Sequence, residues 1–257
     1  MDLIEPLQSD DALLADIHSV KDQVGLQVWW LGQSGFLVQH QGRYLLLDPY
    51  LSDSLTAKYA NTARPHLRMT RLVLAPEQLG FVDLVTSSHA HTDHLDPETL
   101  GPLARVNPRL VLVAAEANRA SAKERSGLPD AQIIGLNDGA VVEVSGLRFT
   151  GIASAHNGLE QDAQGHHKYL GFIVQLGRWT LYHSGDTLWY QGLVAKLKPY
   201  RIDLALLPIN GNDPSRGVAG NLDGAEAARL AHQIKAGLVV PCHYEMFTFN
   251  TASPGLF

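Results

Sequence analysis

From Asp10 to Lys21 apolar residues recur at Leu13, Leu14, Ile17 and Val20, three and four apart, which predicts an amphipathic opening helix. The period then shortens. Residues 26–31, 36–39 and 44–48 are apolar runs split by turn residues and predict consecutive strands, with Gln41-Gly42 as the tight turn between the last two. Residues 49–76 are irregular and predict a long loop or lid. Residues 81–87 read as a buried strand, after which Asp96-Pro97 supplies an N-cap and a first-turn proline for a helix. A strand over 110–114 and a helix over 116–126 follow. Further strands are predicted over 141–144, 147–153, 170–176 and 178–182, with short buried ones over 204–207 and 238–241. Asp223 and Glu226 form a capping-box signal for a helix running to about Lys235.

Hairpin-like pairs come first and strands alternating with helices later, with no internal repeat or linker. That order predicts an α/β sandwich in a single domain, residues 1–257. The composition, 45% hydrophobic and 18% charged, suits a sizeable core. A formal net charge of −6 argues against a nucleic-acid partner. No apolar run reaches the ~18 residues of a membrane span. The N-terminus carries Asp2, Glu5, Asp10, Asp11 and Asp16 where a secretory leader needs a basic start and an apolar run. The one cysteine, Cys242, excludes a disulfide framework and a multi-cysteine zinc site, and reads as packing. A cytoplasmic protein is expected, with a homo-oligomer left open.

The chemistry gathers in His89-Ala90-His91-Thr92-Asp93-His94, at the end of the strand predicted over 81–87. His89 and His91 alternate, so in extended backbone both imidazoles point one way. Asp93 and His94 follow in a turn and can face a second point. Imidazole nitrogen and carboxylate oxygen are both ligands for divalent metals. His156, Asp186 and His243 each sit just past a short apolar strand. Each is weak singly, but with the run they can complete two metal sites. His183 is close enough to Asp186 to support it. His18, His40, His66, His166, His167 and His232 lack this context and are read as surface or helix-face residues.

The pattern H-x-H-x-D-H, a later histidine, an aspartate in Ser184-Gly185-Asp186-Thr187 and a last histidine resembles the metallo-β-lactamase superfamily, over about Val28 to His243. The resemblance implies an αββα four-layer sandwich with two mixed β-sheets flanked by helices. It also implies a dinuclear centre at one edge: one metal on His89, His91 and His156, the other on Asp93, His94 and His243, with Asp186 bridging. The stretches 29–35, 181–187, 202–206 and 212–217 are similar to the L-ascorbate-6-phosphate lactonases. The chain departs from that branch at His156, and it ends at Phe257 where the family usually continues, so a shortened or atypical member is expected.

Two divalent ions ~3.5–4 Å apart lower the pKa of a shared water toward neutrality. Zinc suits the ligand set, and manganese nearly as well; the lactonase resemblance implies manganese. Asp186 as the bridge and Asp93, orienting the nucleophile or passing a proton, are the candidate catalytic residues. A small anionic substrate would be held by Arg216 and Asn212 in the loop 210–221, with Arg64, Arg68 and Lys198 as weaker candidates. Tyr190 and Tyr244, with Trp189 and Phe247, are candidates for the pocket mouth.

The leading expectation is a metal-dependent hydrolase opening a lactone or similar ester, with or without a phosphate. A phosphodiesterase acting on a phospholipid or nucleotide is the alternative within enzymes, and a non-catalytic metal-binding or assembly module the alternative outside them. A serine hydrolase is disfavoured, because Gly32-Gln33-Ser34-Gly35 lacks the G-x-S-x-G spacing.

Overall fold

A computed structural model describes residues 2–257. Among the described residues two six-stranded sheets form, and the chain order explains both. The first contains β1 (Gln27–Gly32), β2 (Gly35–His40), β3 (Arg43–Leu47), β4 (Leu84–Ser87), β5 (Val111–Ala115) and β6 (Ile133–Leu136) in sequence order. β1 to β3 pair antiparallel, and β3 to β6 parallel. His40 pairs with Arg43 across Gln41 and Gly42, both at positive φ, as the sequence predicts for a two-residue turn.

The second sheet contains β7 (Val141–Val144), β8 (Leu147–Ala153), β9 (Leu170–Leu176), β10 (Trp179–His183), β11 (Leu204–Pro208) and β12 (Leu238–Cys242). β7 to β10 pair antiparallel, and β10 to β12 parallel. Both sheets are therefore mixed.

Alternation along the strands sets the layers. In β3, Leu45 and Leu47 face the core between the sheets, while Leu46 joins Leu13 and Ile17 of α1 (Asp10–Ser19) and Leu100 and Leu103 of α3 (Pro97–Val106). In β9, Phe172 and Val174 face inward, while Ile173 packs with Leu193 of α5 (Leu193–Leu197) and Leu230 of α6 (Gly224–Ile234). Strands covered on both faces need side chains that are apolar in both directions, hence the unbroken runs of the sequence. Helix, sheet, sheet, helix is the resulting order. Cys242 lies buried in the inter-sheet core.

Two expectations need correction. Residues 49–76 are not a free lid: they carry α2 (Ser54–Tyr59) and are tied down. Arg68 pairs with Asp53 at 2.9 Å and donates to Ser52 O, and Thr70 Oγ1 donates to Glu245 O at 2.6 Å. The strand β6 and the short helix α5 were not legible; β6 is four residues with an internal glycine, and its parallel pairing to β5 decides it.

Asp96 performs its predicted capping role and more. It is fully buried and accepts from Glu98 N, from Ser52 Oγ and Thr99 Oγ1 at 2.6 Å, and from Ser54 Oγ at 2.9 Å. One carboxylate thus starts α3 and anchors the segment leading into α2. Asp96→Ala removes the cap and strands buried hydroxyls, so it should cost about 3–4 kcal/mol. That corresponds to a fall of roughly 10 °C in melting temperature. A loss under about 1 kcal/mol in urea unfolding would show that the network is dispensable.

Candidate metal centre

Strand direction brings the site together. β1, β3 and β4 run the same way in the first sheet, and β8, β10 and β12 the same way in the second. Every candidate follows one of these C-terminal ends: Gln33 after β1, Asp48 after β3, the histidine run after β4, His156 after β8, Asp186 after β10 and His243 after β12. Gln33, Asp48 and His243 all have positive φ, as does Gly185 beside Asp186. Among the described residues, three of the eight non-glycine residues at positive φ thus sit at these strand ends, where side chains turn inward.

The seven predicted ligand residues converge. His89, His91 and His156 form one cluster, and Asp93, His94 and His243 another, each with ligand atoms within 4.8 Å of one another. Asp186 lies between them. Its Oδ1 is 3.2 Å from His94 Nε2, and its Oδ2 is 3.1 Å from His243 Nε2 and 3.5 Å from His156 Nε2.

Partners behind the rings decide which nitrogen points inward. His94 Nδ1 donates to Asp48 Oδ2 at 2.8 Å, and His156 Nδ1 donates to Gly220 O at 2.9 Å. Ser88 Oγ sits 2.9 Å from His89 Nδ1. With Nδ1 engaged, Nε2 of each ring is presented to the cluster. Among the described residues His89 Nε2, His94 Nε2 and Asp186 Oδ1 are buried and make no well-aligned hydrogen bond, although His94 Nε2 and Asp186 Oδ1 lie 3.2 Å apart. Orphaned polar atoms of this kind are costly unless something satisfies them. Their convergence, all ligand-type and free of sulfur, fits a divalent cation.

The electrostatics point the same way. Burial pushes the His89 imidazole well below its ordinary range, with the neighbouring histidines adding to it, and pushes His156 down to about 4 against the pull of Asp186. Both rings are thus neutral near pH 7, the form that ligates. Burial opposes ionisation of Asp186, but the charges of His243 and His94 hold its carboxyl well below the usual range. Burial lowers His243, but the charges and hydrogen bonds of Asp186 and Asp93 together outweigh it and raise the imidazole to about 9. The carboxylates of this site need positive charge close by.

Several residues were not found from the sequence. Asp48 accepts from His94, from Ser88 N and from Thr86 Oγ1, all within 3.1 Å. The Gln33 amide reaches Asp93 Oδ2 at 2.7 Å. Arg125 braces the histidine run by donating to Ala90 O at 2.6 Å and Leu95 O at 3.2 Å. His183, expected near Asp186, acts through the turn instead: it accepts from Gly185 N and reaches Ser34 O at 2.9 Å.

A cleft of about 320 Å³ opens over His91, Asp93, His156, Asp186 and His243. Lys58 and Tyr59 of α2, with His66, Phe247 and Phe249, line its far wall. His66, read from the sequence as a surface residue, stacks on Tyr59 at 4.0 Å and meets Phe249 edge-on at 4.5 Å.

The predicted substrate contacts lie elsewhere, except Phe247. Arg216 turns away to Asn210 O at 2.5 Å and Thr251 O at 3.1 Å, holding the C-terminal segment. Asn212 is exposed and packs beside Gly220. The Tyr190 hydroxyl donates to Ala153 O at 2.6 Å, within the apolar layer under α5 and α6. Tyr244 packs on Trp30 at 4.6 Å. Arg68 is spent on Asp53 and Ser52, and Arg64 donates to Arg216 O. Lys198 closes the end of α5. Each was chosen for its chain neighbours, and Arg216, Tyr190, Tyr244, Arg64 and Arg68 are held by contacts of their own fold.

A four-layer sandwich with histidine and aspartate loops meeting at one edge defines a metallohydrolase type of centre. Residues 27–243 match the family described as the beta-lactamase superfamily domain. A UPF0173 metal-dependent hydrolase of Methanosarcina mazei is 30% identical over 236 residues, covering 90% of this chain and 89% of that protein. One from Pyrococcus horikoshii is 31% identical over 239 residues, covering 90% of each. Among solved structures, Igni18, a metallo hydrolase from Ignicoccus hospitalis, superposes with a TM-score of 0.64 at 21% identity, covering 90% of this chain and 87% of that one. The chain belongs to the metallo-β-lactamase superfamily. It is a metal-dependent hydrolase. Among the described residues no helix is long and apolar enough to cross a membrane.

Proposed function

We propose that the centre holds two divalent cations, zinc or manganese, and hydrolyses a small anionic lactone or ester, including phosphorylated ones. His89, His91 and His156 would hold one cation, Asp93, His94 and His243 the other, with Asp186 between. The observation that carries this reading is the convergence of buried His89 Nε2, His94 Nε2 and Asp186 Oδ1, none in a well-aligned hydrogen bond, beneath an open cleft. When bound, such a pair supplies Lewis-acid polarisation and an acidified water.

The chain's own residues do the rest. Asp93, whose Oδ2 faces His94 and His243 and would hold the cation, keeps its other oxygen for orienting the incoming water and passing its proton to the leaving oxygen. Tyr59, Phe247 and Phe249 give the substrate body an apolar wall that excludes water. Lys58, on the cleft wall 5.2 Å from the Tyr59 ring centroid, pairs with the substrate anion. A cleft of about 320 Å³ is at the low end of the roughly 300–1,000 Å³ typical of small-molecule sites, which favours a compact substrate over a polymer.

The test is a screen of the purified protein, loaded with zinc or manganese, against phosphorylated lactones, simple lactones and bis(p-nitrophenyl) phosphate. Metal-dependent lactone opening is expected. Turnover of the diester alone would replace this reading with a phosphodiesterase, and inertness with every divalent metal would end it. Lys58→Ala should raise KM for the anionic substrate about tenfold, the value of one charge-assisted contact, with metal content unchanged. An unaltered KM would remove Lys58 from the substrate site.

A further inference from the structure

The two-residue turn between β1 and β2, closed by the Gly32–Gly35 pair, sets the backbone of Gln33, but it does not account for where the side chain goes. The φ of Gln33 is +51°, in the left-handed region that glutamine enters at a cost. The residue is 1% exposed, and its Oε1 is buried with no hydrogen-bond partner. Only the amide nitrogen is used. It donates to Asp93 Oδ2 at 2.7 Å and lies 3.0 Å from His243 Nε2. A carboxylate only accepts, so the nitrogen and not the oxygen faces Asp93.

These two atoms belong to the second ligand cluster. Asp93 Oδ2 stands 3.6 Å from His243 Nε2 and 3.7 Å from His94 Nε2. An amide nitrogen carries two hydrogens, so it holds Asp93 Oδ2 with one and places the other beside His243 Nε2, the two atoms that would face a cation in this cluster. In the other cluster His91 Nδ1 and His156 Nε2 face each other at 3.2 Å, and His89 Nε2 is free. Among the described residues no outside side chain caps that cluster in the same way.

We propose that Gln33 is a positioning residue that makes the two cation positions unequal. Its amide caps the Asp93–His94–His243 cluster and weakens binding there, so the His89–His91–His156 cluster fills first. The inference rests on the reading of the site as a two-cation centre. The main chain limits how the cap can be lifted: Gln33 O accepts from His243 N and from the Trp30 indole, both at 2.9 Å. The turn stays in place, and only the side chain can swing out.

Calorimetric titration of the metal-free full-length protein with zinc, in the wild type, Gln33→Asn and Gln33→Glu, tests this. Asparagine tolerates the positive φ but is one methylene too short to reach; glutamate keeps the length and lacks the N–H. In both variants the weaker dissociation constant should fall about tenfold or more, the value of a charge-assisted hydrogen bond, while the tighter constant holds. A wild type that takes one ion and a Gln33→Asn variant that takes two would support the same conclusion. Unchanged constants, or both steps shifting together as a general structural defect would make them, overturn it. If the wild type and both variants take no ion, the two-cation reading fails with it. If all take two ions with the same constants, the Gln33 inference fails alone. Should Gln33→Asn not fold by thermal melting, Gln33→Glu carries the comparison.

Discussion

Asp186→Asn is expected to strip the protein of tightly held metal and to lower hydrolysis by far more than about 100-fold, the upper end for losing a partner one step behind a ligand. Asp186 is not one ligand candidate among seven. Its two oxygens face His94, His156 and His243 at 3.1–3.5 Å, so it spans both clusters. Asparagine keeps the shape and one acceptor, but it removes the negative charge and turns an N–H₂ toward at least one ring. His91→Ala, by contrast, removes an exposed member of a single cluster and should leave part of the second site intact. The measurement is metal content after dialysis, by plasma emission, alongside kcat/KM on the best substrate of the screen. An Asp186→Asn protein that keeps two equivalents of metal and a tenth of wild-type activity would show that the carboxylate does not bridge.

The fold and the convergence of the candidate ligands were legible because both are written in local chemistry. Residues 44–47 of β3 and all of β11 read as unbroken apolar runs because both faces are covered. Four ligand-type residues within positions 89–94, at a strand end, mark a site without reference to distant contacts. His156, Asp186 and His243 share one legible context, the residue just past a short apolar strand, and parallel strand direction gathers such ends at one edge. The cleft wall was not legible for the opposite reason. Lys58, Tyr59 and His66 reach the site because α2 is pinned by Asp96, Arg68 and Thr70, contacts separated by tens of residues. Arg216 illustrates the converse: a cation in a loop rich in glycine and asparagine suggests an anion, yet its guanidinium is consumed by carbonyls of its own fold. Propensity and spacing say where a side chain starts, and only packing says where it ends. Gln33 has a usable signal, a polar residue in a Gly-x-Ser-Gly turn after an apolar strand, but that stretch serves in the sequence reading only for the lactonase resemblance and against a serine hydrolase.

Asp48 had the same signal as Asp186, a carboxylate closing an apolar strand, and it supports the second-largest expected effect. It is fully buried at φ +40° and receives hydrogen bonds from Ser88 N, Thr86 Oγ1 and His94 Nδ1. It therefore ties β3 to β4 and fixes the ring that faces Asp186. Burial pushes its carboxyl upward, but the hydrogen bond from His94, the charges of His183 and His94 and the Ser88 bond outweigh that and leave it below the ordinary range. A folded-state pKa below the unfolded one means the contribution is present above the ordinary carboxylate value and is lost as pH falls through the folded value. Asp48→Asn must turn its amide hydrogens toward one of three donors, so it breaks a buried charged pair. The metal-free protein should lose about 3 kcal/mol at pH 7. Metal affinity should fall about 10–100-fold, since His94 loses the partner that orients it. The stability gap between wild type and variant should narrow once the pH falls below the ordinary carboxylate value of about 3.9, where the unfolded chain takes up a proton before the folded one does. Urea unfolding of both metal-free proteins from pH 7 downward measures the gap, and zinc titration measures the affinity. A gap that stays constant with pH, together with wild-type affinity, would mean that Asp48 serves only as a shape in the core and that His94 is oriented by something else.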